Sequence, residues 1–406
     1  MGGREAQAKG YECLLSVLYK IGRSYQRDIN LQKIAIRKKM DKVMIVVFDG
    51  CAPEYLNERN APDLFELART DGFLKTVKGV IPSVTNVNHA CILSGKFPEE
   101  TKVVGNYYYN PQTKEEGFIE ERGFMKAPTV IQAYRNAGKK TAFLTVKGKV
   151  LGVYGDGTDI AVNAQYPDRQ IIERLGLPMP PAIEDSTSTK WIMQAALACV
   201  GKENPDFIYC TTNDYVFHHY APGTPEADEQ VRYVNEYIRK IHDANPELRI
   251  YLTADHGMNQ KTALINFQNM ADNAGLKLYC LPPLKDRYVA NHIYQECGIM
   301  YIYLDEGQRA EEFLAFAEGV PEIERILTKE DAAQEFRLPE DAIGDYVMLL
   351  KKDYGFGEFD GGRIEVKDVR THGSLYEREV PLFAVNPQFP ESSYQYSKDI
   401  VGNMMK

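Results

Sequence analysis

The chain contains carboxylate, imidazole and hydroxyl side chains of the types that hold a pair of divalent metal ions. The set is Asp49, Thr85, Asp214, His218, Asp255, His256 and His372. Three aspartates and three histidines form a mixed oxygen and nitrogen ligand set that suits zinc or a similar ion with open coordination positions. Taken singly, each has a simpler explanation, because strand-end aspartates often cap helices and lone histidines are often core residues. As a set, they predict a hydrolytic metal centre.

The spacing within this set indicates how its members could meet. Asp214 and His218 are four residues apart, so one helical turn after a strand would place both on the same face. Asp255 and His256 are adjacent, and Gly257 after them favours a tight turn that could direct both side chains inward. The spacing therefore predicts ligands at strand ends and in the turns that follow them.

Thr85 is the candidate residue at an anion-binding helix N-terminus. It follows Pro82, Ser83 and Val84 and begins a predicted helix, whose N-terminus would present backbone N–H groups and a positive dipole to an anion. The alternative is that Thr85 only caps this helix. His89 lies four residues further on, and we interpret it as a structural residue.

The elements that must position these residues are strands whose carboxyl ends carry the aspartates. KVMIVVFDG is a continuous apolar run, typical of a strand buried on both faces, and PDFIYCTTND, LRIYLTADHG and KKTAFLTVKGK follow the same pattern. Helices are predicted at APDLFELART, PTVIQAYRNAG, TKWIMQAALACVG and PEADEQVRYVNEYIRKIHDA. This alternation predicts an α/β fold with a doubly wound, mostly parallel central sheet, helices on both faces, and the active site at the carboxyl ends of the strands.

The pattern changes along the chain and suggests three parts. Residues 42–261 and 364–406 are expected to form the α/β core, and residues 262–363 a smaller α+β cap insertion. In the insertion, RYVANHIYQECGIMYIYL is interpreted as paired strands, QRAEEFLAFAEG and KEDAAQEFR as helices, and AIGDYVMLLKKDYGF as a further strand. Residues 1–41 are expected to form a basic amphipathic arm, which could pack on the core, contribute to a homodimer, or be dispensable if Met40 is the natural start.

The net charge, the apolar runs and the cysteine pattern restrict the kinds of partner and the cellular compartment that we expect. The formal net charge of −9 over 406 residues argues against nucleic acid as a partner, although metal ions and lysines can still create a local site for a small anion. No apolar run is long enough to span a membrane. The seven cysteines are odd in number and widely spaced without C-x-x-C, so a reducing cytoplasm is the simplest setting.

The segments FDG, PSVTN, SGKFPEET and GN, then TTNDYVFHHYAPGTPEAD, TADHGMN and THGSLYEREVPL, carry a resemblance to a known family. Over about residues 42–390, the chain resembles the alkaline-phosphatase superfamily in its nucleotide-pyrophosphatase-like branch, and within that branch the phosphonoacetate hydrolases. The resemblance implies two Zn2+ ions, with Mn2+ or Fe2+ as alternatives, and Thr85 as nucleophile. One ion would be held by Asp214, His218 and His372, and the other by Asp49, Thr85, Asp255 and His256.

The resemblance also implies substrate contacts and a reaction. Asn106 would be catalytic by donating a hydrogen bond to a phosphoryl oxygen, and His218 would also contact the substrate. Lys147 and Lys149 match a Lys-x-Lys pair that grips a substrate carboxylate; if they lie on a strand, both ammonium groups point into one pocket. The expected reaction is hydrolysis of phosphonoacetate to acetate and phosphate through a phospho-threonine, the lysines neutralising the departing enediolate.

Three other functions remain open from the sequence. A phosphodiesterase or nucleotide pyrophosphatase could use the same metal site, with one or two of Tyr107, Tyr108 and Tyr109 stacking on a nucleobase, although packing is the simpler role for such a run. A phosphomutase of the same superfamily would isomerise a sugar phosphate rather than release phosphate. A binding or sensory protein on an inactive hydrolase scaffold would purify without two tightly held ions.

Overall fold

A seven-stranded, mostly parallel sheet forms the centre of the fold. The computed structural model describes residues 41–287 and 290–406. Across the sheet, the strands are β2 (Gly72–Lys78), β16 (Glu379–Val385), β8 (Arg249–Thr253), β1 (Val43–Val47), β7 (Phe207–Thr211), β5 (Thr141–Thr145) and β6 (Ile160–Asn163). β16 runs antiparallel to both of its neighbours, whereas the pairs from β8 to β6 are parallel. The predicted strands ending near Asp49, Asp214 and Asp255 are confirmed as β1, β7 and β8.

Helices pack on both faces of this sheet, as predicted. In chain order they are α1 (Pro62–Asp71), α2 (Thr85–Ser94), α3 (Pro98–Thr101), α4 (Val130–Asn136), α5 (Gly148–Tyr154), α6 (Arg169–Leu175), α7 (Ser188–Glu203), α8 (Tyr215–His219), α9 (Pro225–Ala244) and α13 (Asp399–Met404). The four helices predicted from the apolar periodicity correspond to α1, α4, α7 and α9. Short 3-10 turns lie at Pro53–Tyr55, Glu340–Ala342 and Glu391–Ser393.

The order of the central strands brings the three aspartates to one edge of the sheet. β1 pairs with β8 on one side and with β7 on the other, in a register that sets Val47 opposite both Thr253 and Thr211. All five residues of β1 and of β7 are buried, because layers cover both faces of the sheet. The chain segments that leave these three strands therefore emerge side by side.

A second, antiparallel sheet lies within the proposed insertion. Its strands in order are β10 (Leu278–Leu281), β11 (Ile299–Leu304), β13 (Tyr346–Leu350) and β12 (Ile323–Thr328), and its helices are α10 (Phe267–Asn273), α11 (Ala310–Glu318) and α12 (Lys329–Phe336). Alternate residues of β11 face different cores: Ile299 and Tyr301 join the main apolar core, whereas Met300 and Ile302 join a second cluster around α10 and α11. This sheet is thus buried on both faces.

Two predictions for the insertion need correction. Within RYVANHIYQECGIMYIYL, the described residues before β11 form turns and one isolated bridge at Cys297 rather than a paired strand. AIGDYVMLLKKDYGF forms two strands, β13 and β14 (Tyr354–Phe356), with a turn between them. In both segments, tight turns interrupt an apolar pattern that by itself resembles a continuous strand.

A three-stranded sheet connects the two larger sheets. Its order is β14, β9 (Asn259–Ile265) and β15 (Arg363–Thr371). β9 begins shortly after His256 and β15 ends next to His372, so the strands of this sheet lead out of and back to the predicted site. The proposed insertion at residues 262–363 begins within β9 and ends at the first residue of β15, and the division remains a proposal. A two-stranded hairpin is formed by β3 (Tyr107–Tyr109) and β4 (Glu116–Phe118).

The proposed N-terminal arm at residues 1–41 lies outside the described residues except for Asp41. Among the residues that the structure describes, no helix has both the length and the apolar character needed to cross a bilayer.

Candidate active site

Three buried carboxylates lie beside one another beyond the central strands. Asp49, Asp214 and Asp255 are each at most 1% exposed. Burial, followed by repulsion from Asp214 and Asp255, raises the pKa of Asp49 to about 8. Burial also raises the pKa of Asp255 to about 6. Burial acts in the same direction on Asp214, but Lys147 and His218 together hold the pKa of that carboxyl well below its usual range. The site therefore has an excess of buried negative charge that a divalent cation would neutralise.

Three histidines around these carboxylates present the same ring nitrogen to the centre. The Nδ1 atoms of His218, His256 and His372 lie 2.8, 2.9 and 2.7 Å from the backbone oxygens of Arg370, Gly257 and Ser83 respectively. Because a carbonyl oxygen only accepts, each Nδ1 carries the proton, and a neutral ring would then present the lone pair of Nε2. The Nε2 atoms of His218 and His372 have no hydrogen-bond partner among the described residues. This arrangement is typical of metal-ligating histidines.

The carboxylates and imidazoles form overlapping groups that can hold metal ions. One group consists of Asp49, Asp255 and His256, a second of Asp214, His256 and His372, and a third of His218, His292 and His372. Within each group, one ligand atom from every residue lies within 4.8 Å of the others. His218 Nε2 is also 3.3 Å from Asp214 Oδ2. The structure thus brings together the aspartates and histidines selected from the sequence, with chemistry that fits divalent ions.

Thr85 lies at this centre, at the start of α2. Val84 is the N-cap residue and makes no side-chain cap bond, so Thr85 is the first helical residue and the alternative of a capping hydroxyl does not apply. Its Oγ1 is 3.4 Å from His256 Nε2, and the residue is 2% exposed. The hydroxyl therefore faces the group formed by Asp49, Asp255 and His256 at a helix N-terminus.

Asn106 is oriented next to Thr85 by its neighbours. Its Oδ1 accepts a 3.0 Å hydrogen bond from the backbone N–H of Asn86, and its Nδ2 donates to the carbonyl of Leu284 at 3.3 Å. Because Oδ1 is bound to the helix and Nδ2 carries two hydrogens, the second N–H of the amide is the group available to a substrate oxygen. The role of Asn106 as a donor to a phosphoryl group stays a prediction.

His89 has contacts that agree with a structural role next to the site. Its Nδ1 is 2.7 Å from the hydroxyl of Tyr209, and its Nε2 is 3.9 Å from Asp255 Oδ2. Burial holds the pKa of His89 well below its ordinary value, so the ring is neutral in this environment.

The two lysines of TVKGKV do not share a strand, and this expectation was wrong. β5 ends at Thr145, Lys147 is the N-cap of α5, and Lys149 lies in the first turn of that helix. Successive helical residues are rotated by about 100°, so residues two apart point in different directions. Lys147 Nζ lies 3.0 Å from Asp49 Oδ2 and 2.6 Å from Asp214 Oδ1, whereas Lys149 pairs with Asp286 of the cap. The expected single pocket for both ammonium groups is therefore not observed.

A small cavity adjoins the site on the side of Lys147. It has a volume of about 150 Å³, and the described residues that line it are Lys147, Ile183, Glu184, Asn213, Tyr215, Arg287, Ala290 and Asn291. Lys149 instead lines a separate, more open depression of about 540 Å³ together with Tyr166. Lys147 and Arg287 supply positive charge to the small cavity, and Glu184 is its described acidic residue.

The tyrosines after Asn106 are packing residues. Tyr107 packs on Phe118 at 4.8 Å between ring centroids, Tyr108 on Phe124 at 5.1 Å, and Tyr109 on Tyr279 and Tyr303 at 4.5 and 4.9 Å. These edge-to-face and tilted contacts place the rings in a cluster shared by the β3–β4 hairpin and the cap sheet.

The structure adds residues that the sequence reasoning missed. His292, in the cap loop before β11, packs edge-on against His218 at 4.5 Å. Arg370 is buried, and its guanidinium donates to the carbonyl of Phe217 and to the hydroxyl of Tyr55 while its own carbonyl holds His218. The sequence signal for His292 was its residue type, because histidine is a common metal ligand and the chain contains only seven histidines. No local pattern marked Arg370, because its contacts come from distant segments.

Comparisons with known proteins agree with this geometry. The profile of the type I phosphodiesterase / nucleotide pyrophosphatase family matches residues 43–375. Crystal structures of a phosphonoacetate hydrolase from Sinorhizobium meliloti 1021, in complex with phosphonoformate or phosphonoacetate, superpose with a TM-score of 0.80 and 28% identity, covering 90% of this chain and 95% of that one.

The curated relatives align with a smaller share of this chain. An ectonucleotide pyrophosphatase/phosphodiesterase of Caenorhabditis elegans is 23% identical over 247 residues, covering 58% of this chain and 31% of the relative. The human ectonucleotide pyrophosphatase/phosphodiesterase family member 7 is 24% identical over 231 residues, covering 54% of this chain and 48% of the relative. The matched region thus spans about a third of one relative and about half of the other.

Proposed function

The chain belongs to the type I phosphodiesterase / nucleotide pyrophosphatase family of the alkaline-phosphatase superfamily, and within it we propose a two-metal hydrolase that cleaves the C–P bond of phosphonoacetate. The observation that carries the proposal is the small cationic cavity beside the three aspartates and Thr85. At about 150 Å³ it is smaller than the roughly 300 Å³ at which pockets for drug-sized ligands begin, so it suits a small anion better than a nucleotide.

Two divalent ions, for which we propose zinc, would supply Lewis-acid activation of the threonine hydroxyl and neutralisation of the phosphoryl oxygens. Asp214, His218 and His372 would hold one ion, with His218 also bordering the substrate. Asp49, Thr85, Asp255 and His256 would hold the other. Mn2+ and Fe2+ remain alternatives for the same mixed ligand set.

The protein's own residues then account for each bond change. The Thr85 hydroxyl loses its proton to solvent, Oγ1 attacks phosphorus, the P–C bond breaks, and its electron pair passes into the acetate carboxylate as an enediolate that later takes up a proton from solvent. Asn106 donates to a phosphoryl oxygen at the start of α2. The enediolate is protonated on carbon to give acetate, and water hydrolyses the phospho-threonine to phosphate and free Thr85. The sum is phosphonoacetate plus water giving acetate plus phosphate.

Lys147 has the more direct role in stabilising the leaving group. The Lys147 ammonium lies between Asp49 and Asp214. Burial lowers the pKa of Lys147, but the two carboxylates raise it by more, so the side chain stays charged. A fixed charge in a buried site interacts strongly with a developing negative charge. Lys149 would act from the first turn of α5, through its pairing with Asp286 beside Arg287.

The alternative is a phosphodiesterase or nucleotide pyrophosphatase that uses the same metal ligands. The family membership favours it, since the family is named for that activity. The packing of Tyr107, Tyr108 and Tyr109 within the protein weighs against the base-stacking role that this alternative would give them.

The deciding experiment compares two substrates on zinc-loaded protein. We expect fast phosphate release from phosphonoacetate and weak cleavage of bis(p-nitrophenyl) phosphate. The reverse result would make the protein a diesterase. Lys147→Ala and Lys149→Ala should each remove most phosphonoacetate turnover while sparing an activated aryl phosphate ester. Lys139→Ala is the matched control, because Lys139 precedes β5 and pairs with Asp206, whereas Lys147 and Lys149 follow that strand. Equal loss on both substrates would contradict the leaving-group role.

We also propose a reducing, cytoplasmic setting and a small anionic substrate as the partner, without nucleic acid or membrane. The thiols support the setting, since Cys51, Cys91, Cys199, Cys210, Cys280 and Cys297 are all buried and free. Fractionation of the native host, followed by detection of the protein in the soluble cell interior or outside it, would test this.

A further inference from the structure

His292 lies in the active site although it is absent from the ligand set that the sequence suggested. It belongs to the cap loop before β11 and is 3% exposed. Its ring meets the ring of His218 edge-on, with centroids 4.5 Å apart, and lies 5.8 Å from that of His372. A histidine from the cap therefore contacts two histidines of the core.

The Nδ1 atom of His292 is buried without a hydrogen-bond partner among the described residues. The nearest carboxylate oxygen, that of Glu296, is 4.0 Å away and beyond hydrogen-bond distance. Buried polar atoms are nearly always satisfied, so such an atom needs an explanation. The Nε2 atoms of His218 and His372, which face the same space, are unsatisfied in the same way.

The three imidazoles are close enough to bind one ion. Ligand atoms of His218, His292 and His372 all lie within 4.8 Å of one another. In a tetrahedral zinc site with Zn–N bonds of about 2.0–2.1 Å, two ligand nitrogens lie roughly 3.4 Å apart. Small side-chain adjustments would therefore bring all three nitrogens onto a single ion.

The cap loop is also attached to the remaining ligand of that ion. Asn291 Nδ2 donates to Asp214 Oδ1 at 3.2 Å. Asn291 thus ties the segment that carries His292 to the carboxylate proposed to share an ion with His218 and His372. Two adjacent cap residues consequently contact the same group of ligands.

We propose that His292 is a fourth protein ligand of the metal ion held by Asp214, His218 and His372. This inference rests on the metal centre of the proposed function but not on its phosphonate substrate. A fourth protein ligand is compatible with catalysis because zinc can expand to five ligands in a transition state. It also means that the cap completes one metal site.

The test is titration of the metal-free protein with Co2+, whose visible absorption reports the number and type of its ligands. Wild-type protein should bind two ions. His292→Phe, which keeps a ring but removes the nitrogens, should bind one ion with unchanged affinity and the other at least about 100-fold more weakly, since loss of outer-shell partners alone costs about 10–100-fold. His292→Asp, which restores a ligand atom, should recover part of this affinity.

His219→Ala is the matched control, because His219 is exposed, lies on the same helix as His218 and belongs to none of the three ligand groups. It should leave both Co2+ affinities and the spectrum unchanged. Circular dichroism of the metal-free variants establishes that each is folded, and His292→Asn replaces any variant that is not.

The outcomes separate this inference from the function proposed above. Unchanged affinity and spectrum in His292→Phe would overturn the ligand role, and unchanged Co2+ binding with a raised KM would make His292 a substrate contact instead. If wild-type protein binds no Co2+, the proposed metal centre itself fails. If it binds two ions but does not release phosphate from phosphonoacetate, only the proposed substrate fails.

Discussion

At the residue scale, local main-chain contacts set the tautomer and the orientation of the functional side chains. A backbone carbonyl holds Nδ1 of each of His218, His256 and His372, so the tautomer and orientation of each ring are determined by the main chain. Thr85 is placed differently, since it is the first residue of α2 and its hydroxyl is not used by the helix. Its Oγ1 can therefore turn toward His256 and an incoming phosphorus atom.

Substitution of Thr85 tests the role of this hydroxyl. Thr85→Ala should reduce turnover of any phosphorus substrate by at least about 10³-fold, because removing a nucleophile eliminates the covalent route. Thr85→Ser should keep measurable activity. Phosphate release measures the rate, and intact-protein mass spectrometry after rapid quenching should detect one phosphoryl group on wild-type protein but none on Thr85→Ala. Full labelling of Thr85→Ala would assign the nucleophile to another residue.

At the element scale, the site depends on how the chain leaves the central strands. After β1 the chain turns through Gly50, whose φ is +74° and whose N–H donates to Asp255 at 3.2 Å. A Cβ at this position would lie 2.9 Å from Cβ of Asp214. This one turn therefore links the segments that follow β1, β7 and β8, and glycine permits both its conformation and its close packing.

We expect Gly50→Ala to weaken metal binding as well as stability. The left-handed conformation should cost about 1–3 kcal/mol, and the added methyl group should also displace Asp214. Gly223→Ala is the matched control, because Gly223 has φ +85° but no atom near its Cβ position. Denaturant unfolding and Zn2+ content measure the two effects. Equal Zn2+ content in both variants would show that the contact with Asp214 is unimportant.

A second element-scale feature is a buried ion pair that connects β9 to the loop after His372. Lys261 Nζ is 2.9 Å from Glu377 Oε1, and both side chains are fully buried. The other oxygen of Glu377 accepts from the backbone N–H and hydroxyl of Ser374, and its carbonyl accepts from the N–H of Gly257. The pair thus holds together the loops that carry His256 and His372.

Removing one partner of this pair should destabilise the fold by about 3–5 kcal/mol, because the other charge remains buried and unpaired. Glu377→Gln tests this by urea unfolding, and Lys261→Met combined with Glu377→Gln should cost less than the single change. Glu100→Gln, which breaks the exposed pair with Lys96, should cost at most about 1 kcal/mol. Additive effects in the double variant would contradict the coupling.

At the scale of the whole molecule, folding concentrates like charges that the sequence keeps far apart. The aspartates come from residues 49, 214 and 255, and the fold buries all three at one end of the sheet. The cap contributes Asp286, Asn291 and His292 to the same region, so core and cap jointly enclose the site. Repulsion among the carboxylates opposes folding, and bound cations would relieve it.

This charge arrangement predicts a pH dependence for the metal-free protein. Burial and neighbouring carboxylates raise the pKa of Asp49 to about 8, far above the ordinary value of an aspartate, about 3.9. Above about pH 6.5, the folded state then binds more protons than the unfolded chain, so stability should fall as pH rises to 8, by up to about 1.4 kcal/mol per pH unit. Below pH 6.5, buried histidines with lowered pKa, such as His256 and His372, oppose this trend.

Urea unfolding with a chelator at pH 6.5, 7, 7.5 and 8 measures this slope. Asp49→Asn should remove it, and saturating Zn2+ should also remove it in wild-type protein because the carboxylate is then neutralised by the ion. Stability that stays constant or rises with pH in the chelated wild-type protein would contradict the assignment to Asp49.

Much of this organisation could be predicted from the sequence because its determinants are local. Continuous apolar runs marked β1, β7 and β8, and each run ended near an aspartate that lies in the site. The four-residue spacing of Asp214 and His218 matched the single turn of α8. The segments that carried the family resemblance also lie within the matched range of residues 43–375, except for the second half of THGSLYEREVPL.

Tertiary structure alone decided what depends on contacts between distant segments. The adjacency of β8, β1 and β7 follows from strand pairing across the whole sheet, which no local pattern encodes. The helical turn at Lys147 separated two lysines that a strand would have kept together. His292 reaches the site because cap and core pack against each other, and Arg370 because β15 packs against α8. Such long-range packing is determined by the burial of apolar surface over the whole chain.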